Sequence, residues 1–387
     1  MIPLKYNLRN LRVRWKTTAM TMLGTGLVVW SACLLFGLVD GLEHSLKISG
    51  EPLDLIVMRP GSTNETTGGF ESSKADQLLT LPGIARDEAG HPMAAEEILN
   101  IPIAVRGDGS RTNVIVRGVQ PASRRLRPDF RIIEGRDLEP GKGECIVSPA
   151  TSRRFRGAQI GGRLDFGDRE AYRVVGVFTA GGSSAESEIW ADFQDVVRNT
   201  GRSGSVSCVQ LRAADRAAYD KLREAIEGEA RFKLAAIPEP VYFQNQSRSG
   251  VFLKGAGTLI AVLLTIGAMF AAANTMFAAV STRTREIGTM RALGFSRRDI
   301  LICFLGESLI LCALGGAAGV LAAIPLNAWT YETSDFNSFA SVMVAFRLGP
   351  TALSVAIGMT LAMGLFGGMM PALRAVRLEV IAALRER

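Results

Sequence analysis

Histidine is almost missing from this sequence: His44 and His91 are the only two, and they lie far apart. A histidine-rich metal centre, which needs several imidazoles brought to one point, is therefore not expected. The metalloprotease pattern H-E-x-x-H and the nucleophile-elbow pattern G-x-S-x-G are also missing. Acidic residues are scattered, so no carboxylate pair stands out for acid–base work. A phosphate-cradling loop needs G-x-x-x-x-G-K-[ST]. The nearest approach, Gly135 through Gly143 (GRDLEPGKG), has one residue too many between its first two glycines and ends in Gly. That stretch reads as a turn. Neither a catalytic centre nor a nucleotide site is expected on this chain.

Cysteine is sparse as well, and the five form no framework. Cys33, Cys303 and Cys312 fall in apolar runs, where a small polarizable side chain simply packs. Cys145 and Cys208 lie in a polar region. They would be free to pair only if that region faced an oxidising compartment and the fold brought their backbones within reach.

What is abundant is apolar sequence. The 387 residues are 48% hydrophobic with mean hydropathy +0.19, yet 21% are charged. That mixture predicts a few membrane spans plus a soluble domain with its own core. Four stretches reach the ~20 residues needed to cross a ~30 Å hydrocarbon core: Thr17–Val39, about 256–280, Leu301–Trp329 and about 352–371. The first resembles a signal peptide in its basic flank, but its apolar run is long and no small-x-small cleavage site follows. An uncleaved anchor fits better.

The net charge of +7 is not a nucleic-acid signature, because of where it sits. Residues 41–250 hold 28 Lys/Arg against 29 Asp/Glu, so the excess lies in short flanks of the apolar runs. Lys5, Arg9, Arg12, Arg14 and Lys16 precede the first run. Arg283, Arg285, Arg291, Arg297 and Arg298 separate the second and third, and Arg374, Arg377, Arg385 and Arg387 follow the fourth. The 330–350 loop has Arg347 against Glu332 and Asp335. The positive-inside rule then places both termini in the cytoplasm and residues 41–250 outside.

The expected layout is a cytoplasmic N-terminus (1–16), a first span (17–40), an extracytoplasmic mixed α/β domain (41–250) and a second span (255–280). A cytoplasmic loop (281–300), third span (301–329), short outer loop (330–350), fourth span (351–371) and cytoplasmic tail (372–387) follow. In the outer domain, Leu53–Met58, Asn113–Val119, Glu144–Ser148, Tyr172–Phe178 and Ser205–Leu211 read as strands. Arg216–Gly228 reads as a helix with Ala217, Leu222 and Ile226 inward. Gly61–Ser73 reads as a mobile loop, and both ends of the domain read as helical stalks.

Within the spans, Gly315/Gly319 and Gly364/Gly368 are small-xxx-small pairs that let helix backbones approach, inside one subunit or across a dimer seam. Glu307 is costly in a span unless paired, and a nearby cytoplasmic arginine is the expected partner. Asn274 and Asn327 are candidates for interhelical hydrogen bonds. In the 281–300 loop, Ile287, Met290 and Leu293 recur three apart among arginines. Ser296 with Asp299 is a helix-capping pair. A short amphipathic helix follows, serving either as an interfacial anchor or as a knob for a cytoplasmic motor.

The run Arg285-Glu286-Ile287-Gly288-Thr289-Met290-Arg291-Ala292-Leu293-Gly294 closely resembles the signature of the MacB/FtsX/LolC permease superfamily. Gly306–Gly319, with Glu307 early and Gly315-Gly316 late, looks like that family's third span. Pro371-Ala372-Leu373-Arg374-Ala375 leading to Ala383-Leu384-Arg385 looks like its tail. Glu134-Gly135-Arg136, Gly161-Gly162 and Val174-Val175-Gly176-Val177-Phe178 are similar to the MacB-like periplasmic domain.

The resemblance implies a non-catalytic permease subunit of an ABC transporter in a bacterial inner membrane, exporting or extracting a lipoprotein, lipid, peptide or drug. ATP and Mg²⁺ would sit on a separate ATPase subunit, since MacB itself carries its ATPase in an N-terminal fusion that this sequence does not show. A second permease subunit and an extracytoplasmic adaptor are the other implied partners. Arg285, Glu286, Ile287, Gly288, Met290, Arg291, Leu293 and Gly294 would be the ATPase-coupling residues. The alternative in the same superfamily is a regulator that pulls on an outer partner such as a cell-wall hydrolase. A membrane-anchored enzyme or sensor is a third class, disfavoured by the missing catalytic constellations.

Overall fold

The computed structural model describes residues 15–127, 129–167, 170–246, 248–334 and 341–378. The basic residues before Trp15, Asp335 and the tail from residue 379 onward, including Ala383-Leu384-Arg385, lie outside the described residues. The chain divides into two compact units, one comprising residues 1–41, 250–329 and 346–387, the other residues 42–249 and 330–345.

The first unit is built from four long apolar helices, α1 (Trp15–Ile48), α8 (Arg248–Ser281), α10 (Arg297–Ala323) and α11 (Pro350–Arg377). Each is long and apolar enough to span a bilayer, and the protein is a multi-pass membrane protein with four such helices among the described residues. The helices pack through small and medium side chains: Val29, Ala32 and Cys33 of α1 meet Ala268 and Ala272 of α8, Cys312 of α10, and Ala356 and Met363 of α11. Tertiary contacts also finish helix ends. The cap position of α11, Gly349, has no side chain to offer, and Asp40 of α1 accepts the Ala352 N–H at 2.9 Å instead. That bond satisfies an otherwise orphaned amide at a helix N-terminus. Asn327 accepts from the Leu348 amide in the connecting segment rather than bridging two helices.

The second unit is a mixed α/β domain. Its strands are β1 (Asp54–Met58), β2 (Phe70–Glu71), β3 (Ala94–Asn100), β4 (Ile103–Val105), β5 (Arg111–Asn113), β6 (Val116–Val119), β7 (Phe130–Gly135), β8 (Glu144–Val147), β9 (Arg163–Asp165), β10 (Ala171–Ala180), β11 (Ile189–Asp192), β12 (Ser205–Val206), β13 (Cys208–Arg212) and β14 (Ala235–Pro238). A hairpin of β15 (Thr330–Ser334) and β16 (Ser341–Ala345) groups with it. The helices are α2 (Ser72–Leu78), α3 (Pro121–Arg125), α4 (Pro149–Arg154), α5 (Phe193–Thr200), α6 (Arg216–Gly228) and α7 (Glu239–Gln246).

The main sheet runs β14-β1-β13-β3-β6-β11-β8-β10-β7, with β9 on β10. Pairing is antiparallel except for β10 with β8 and β11 with β6. β1 and β8, both flanked by strands on either side, are buried along their whole length, which is why they read as mostly apolar runs. Two expected strands are interrupted: 113–119 breaks between β5 and β6, and 205–211 breaks at Ser207, whose hydroxyl accepts the Leu99 amide at 2.9 Å. α6 begins on an Asp215 cap and buries Tyr219, Leu222 and Ile226; Ala217 faces outward, so Tyr219 fills the inward place assigned to it.

Candidate functional site

The link between the second and third spans is a compact helical corner. α8 ends at Ser281, α9 (Thr284–Ala292) follows, and α10 starts at Arg297. Two local devices fold it. Gly294 takes φ +95°, a left-handed conformation that suits glycine. There the Phe295 amide bonds Met290 O at 3.2 Å and the Gly294 amide bonds Arg291 O at 3.2 Å, the paired closure of a Schellman end. Ser296 and Asp299 then form a reciprocal capping box on α10, as their spacing suggests.

α9 is held at three points. Arg283, just before its first residue, makes a two-pronged ion pair with Glu307 of α10, at 3.0 and 3.1 Å. Both are buried, with Glu307 only 3% exposed. Ile287 is fully buried among Met276 and Val280 of α8, Ile300 and Phe304 of α10, and Ala372 and Ala375 of α11. Arg291 donates to Val376 O of α11 at 3.3 Å. Gly288 is buried and Met290 packs on the same cluster.

Leu293 departs from the expected stripe. Ile287, Met290 and Leu293 do not share one face, because α9 ends at Ala292 and Leu293 is the residue that turns the corner. Its side chain is 75% exposed. Arg285 and Glu286 of α9 are exposed as well. The corner thus has an inward side of Arg283, Ile287 and Met290 and an outward side of Arg285, Glu286 and Leu293.

The four span glycines face helices of their own chain. A Cβ on Gly26 of α1 would stand 2.9 Å from Gly315 O, and one on Gly319 would stand 3.0 Å from the Trp30 amide nitrogen. Gly364 and Gly368 of α11 meet Leu309 and Ser308 of α10 in the same way, and Ser308 donates to Gly364 O at 2.9 Å. Beside this seam lies a groove of about 640 Å³ between α1 and α8, lined by Gly24, Gly267, Asn274 and Thr275 and floored by Glu307 and Leu311 of α10.

The α/β unit holds a buried charge network that sequence pattern does not announce. Arg117 of β6 pairs with Glu188 at 2.6 Å, with Glu65 at 2.8 Å and with Glu97 of β3 at 2.5 Å. Arg127 pairs with Glu97 at 2.9 Å and stacks over Trp190. Burial opposes ionisation of Glu97, but Arg127 and Arg117 outweigh it and bring the carboxyl down to about 2. Glu65, Glu97 and Cys208 converge closely enough to suggest metal ligands. Arg117 bonds both carboxylates and burial pushes the Cys208 thiol up, so a guanidinium satisfies this acidic site. The signal that was available was Glu96-Glu97 inside an otherwise apolar strand.

One reading from sequence needs correction here, the mobile loop at 61–73; a question left open about two cysteines is answered, and the turn at 135–143 is seen as expected. Cys145 and Cys208 do not pair: both are buried free thiols on β8 and β13, and β3, β6 and β11 stand between those strands. Four strand spacings of about 4.8 Å exceed disulfide reach more than twofold. The 61–73 segment is tied down: Asn64 is buried and accepts from Thr66 and Thr67, Arg59 clasps Gly69 O at 2.8 Å, and the last residues enter β2 and α2. The phosphate-loop lookalike is a closed turn in which Arg136 and the Glu139 amide both bond Glu144, at 2.8 and 2.9 Å.

A family model described as a MacB-like periplasmic core domain matches residues 18–229, more than half of the chain. The chain belongs to this family. A second model, described as FtsX-like permease C-terminal, matches residues 258–380, which take in α9, the Arg283–Glu307 pair and the span glycines of α10 and α11. The macrolide export ATP-binding/permease protein MacB of Rhodospirillum rubrum is 26% identical over 403 residues, covering 97% of this chain and 59% of that protein. The MacB 1/2 protein of Paracoccus denitrificans is 24% identical over 402 residues, covering 99% and 58%. The chain therefore spans less than three fifths of the length of these two relatives. In this family's arrangement the α/β domain lies between the first and second spans, as it does here.

Proposed function

We propose that this chain is the permease part of an ABC-type transporter of a bacterial inner membrane. A separate ATPase subunit hydrolyses ATP, and a second permease subunit completes the complex. The outward side of the α9 corner is the ATPase contact, and the α/β domain is the part that moves on the far side of the membrane. Charge supports the orientation: the basic flanks that hold Arg283, Arg285, Arg291, Arg297 and Arg298 face the cytoplasm. The cargo belongs to the lipoprotein, lipid, peptide or drug classes, with an adaptor on the outer side. The residues proposed for the contact itself are Arg285, Glu286, Leu293 and Gly294; Ile287, Gly288, Met290 and Arg291 hold the corner in shape.

The single supporting observation is Leu293, a large apolar side chain left exposed at the tip of a short helix whose own inward face is fully used. An apolar anchor ringed by charge is what a docking groove takes up. The test is Leu293→Asp in the complex purified with its ATPase and reconstituted in vesicles. Permease-stimulated ATP hydrolysis should fall at least about tenfold, the effect of losing roughly 1.4 kcal/mol or more of contact. Membrane insertion should be unaffected. Hydrolysis at the unaltered rate, or a wild-type chain that never co-purifies with an ATPase, would overturn the proposal.

A further inference from the structure

We infer that the Arg283–Glu307 pair is a transmission joint, the positioning contact that passes movement of α9 into α10 and on to α1. This rests on the proposed role of α9 as the ATPase contact and goes beyond it, because it names how displacement leaves the corner.

Three observations carry it. First, the pair is bidentate and buried, 3.0 and 3.1 Å with both side chains nearly sealed from solvent. Two parallel charge-assisted bonds between planar groups fix orientation as well as distance, which a single point contact cannot do. Second, Arg283 immediately precedes α9, so any tilt of that helix acts directly on the guanidinium. Third, Glu307 stands on the same helix as Gly315 and Gly319, about two and three turns further along. Those glycines let α10 ride backbone-to-backbone on Gly26 and Trp30 of α1. α1 is one unbroken helix from Trp15 to Ile48, and its residues from Leu42 onward belong to the α/β unit. Contacts this close do not slide independently; a close-packed seam passes strain on.

A purely anchoring role would need only charge neutralisation. A transmitting role needs the fork. Arg283→Lys separates the two, since lysine keeps the charge and loses the second bond. Glu307→Asp is the partner variant, shortening the carboxylate by one methylene, and guards against a folding defect peculiar to position 283. The readout is pulsed electron paramagnetic resonance between spin labels at Thr289→Cys on α9 and Leu27→Cys on α1, both exposed positions. The complex with its ATPase is measured with and without a non-hydrolysable ATP analogue.

In the unaltered pair the analogue shifts the label distance. In both variants the bound ATPase stays within about twofold of normal, while the shift shrinks about fivefold or more, the lower end of ordinary coupling factors. Variants that shift as fully as the unaltered protein overturn the joint. So does a loss of ATPase binding, which would make the pair a support for the docking surface. A wild-type complex that binds ATPase but shows no shift overturns it too. Failure of the wild type to bind any ATPase sinks the functional proposal itself, and is scored separately.

Discussion

Glu97 and Glu239 are both buried carboxylic acids in the α/β unit, yet their surroundings push them in opposite directions. Glu97 sits between Arg117 and Arg127 and stays ionised down to about pH 2. Glu239 opens α7, accepts the Glu51 amide at 2.8 Å and contacts the Gln210 amide group at 2.5 Å. Burial, then the charge of Asp54, raises its carboxyl to about 8 from an ordinary 4.5. Between those two values the folded chain keeps a proton that the unfolded chain releases, so stability falls as pH rises from about 4.5 through about 8. The slope from this group is at most about 1.4 kcal/mol per pH unit. Glu239→Gln, which mimics the protonated acid, should flatten that part of the stability-versus-pH curve in chemical denaturation and leave the acid side, governed by groups such as Glu97, in place. An unchanged curve between about pH 5.5 and 7, where the effect is steepest, would show that Glu239 is ionised when folded.

At the scale of elements, the helix seam makes a direct demand on side-chain size. Gly315 faces Thr25 and Met22 of α1 so closely that any side chain must push the helices apart. Gly358 on α11 has nothing within 4 Å. Gly315→Val should therefore lower stability of the detergent-solubilised protein by about 1–3 kcal/mol, the usual cost of overpacking, seen as a lower thermal unfolding temperature. Gly358→Ala serves as the control and should not lower it, since alanine in open space on a helix is, if anything, favoured over glycine. Equal behaviour of the two would remove the seam from the account.

Elements also show how legible the sequence was. The spans, α6 and the Ser296 cap were readable because each is specified by local pattern: apolar length, periodicity, or one polar residue three before another. β3 was not, because Glu96-Glu97 breaks its apolar alternation and makes sense only beside Arg117 and Arg127. β11, four residues long, is too short to carry a period. β7 is an edge strand with exposed positions and so lacks a clear buried run. In the α9 corner the apolar spacing of Ile287, Met290 and Leu293 marked a short helix but put Leu293 on its stripe; the helix end at Ala292, set by Gly294, reversed that.

For the whole molecule the orientation is the statement most open to direct test. If the basic corner is cytoplasmic, a cysteine at Thr63 should react with an impermeant maleimide in intact spheroplasts, while one at Thr289 should react only after permeabilisation. Thr63 is exposed, whereas Gly68 in the same segment is buried against Met58 and would be a poor reporter. The five native cysteines are all buried and should contribute little background. The reverse labelling pattern would invert the topology and remove the ATPase contact from the side where ATP is found.

The sequence by itself determined how many helices cross the membrane, their order around the α/β domain, and which short segment carries the family signature. Those features depend on hydropathy and residue type summed along neighbouring positions, which the chain displays without folding. Only the tertiary structure decided that Arg283 meets Glu307, that Asp40 caps α11, that Arg117 gathers three carboxylates, and that Gly315 and Gly319 face α1 rather than a second subunit. Each of these joins residues far apart in the chain, and which groups meet is fixed only when the helices and strands settle into one register.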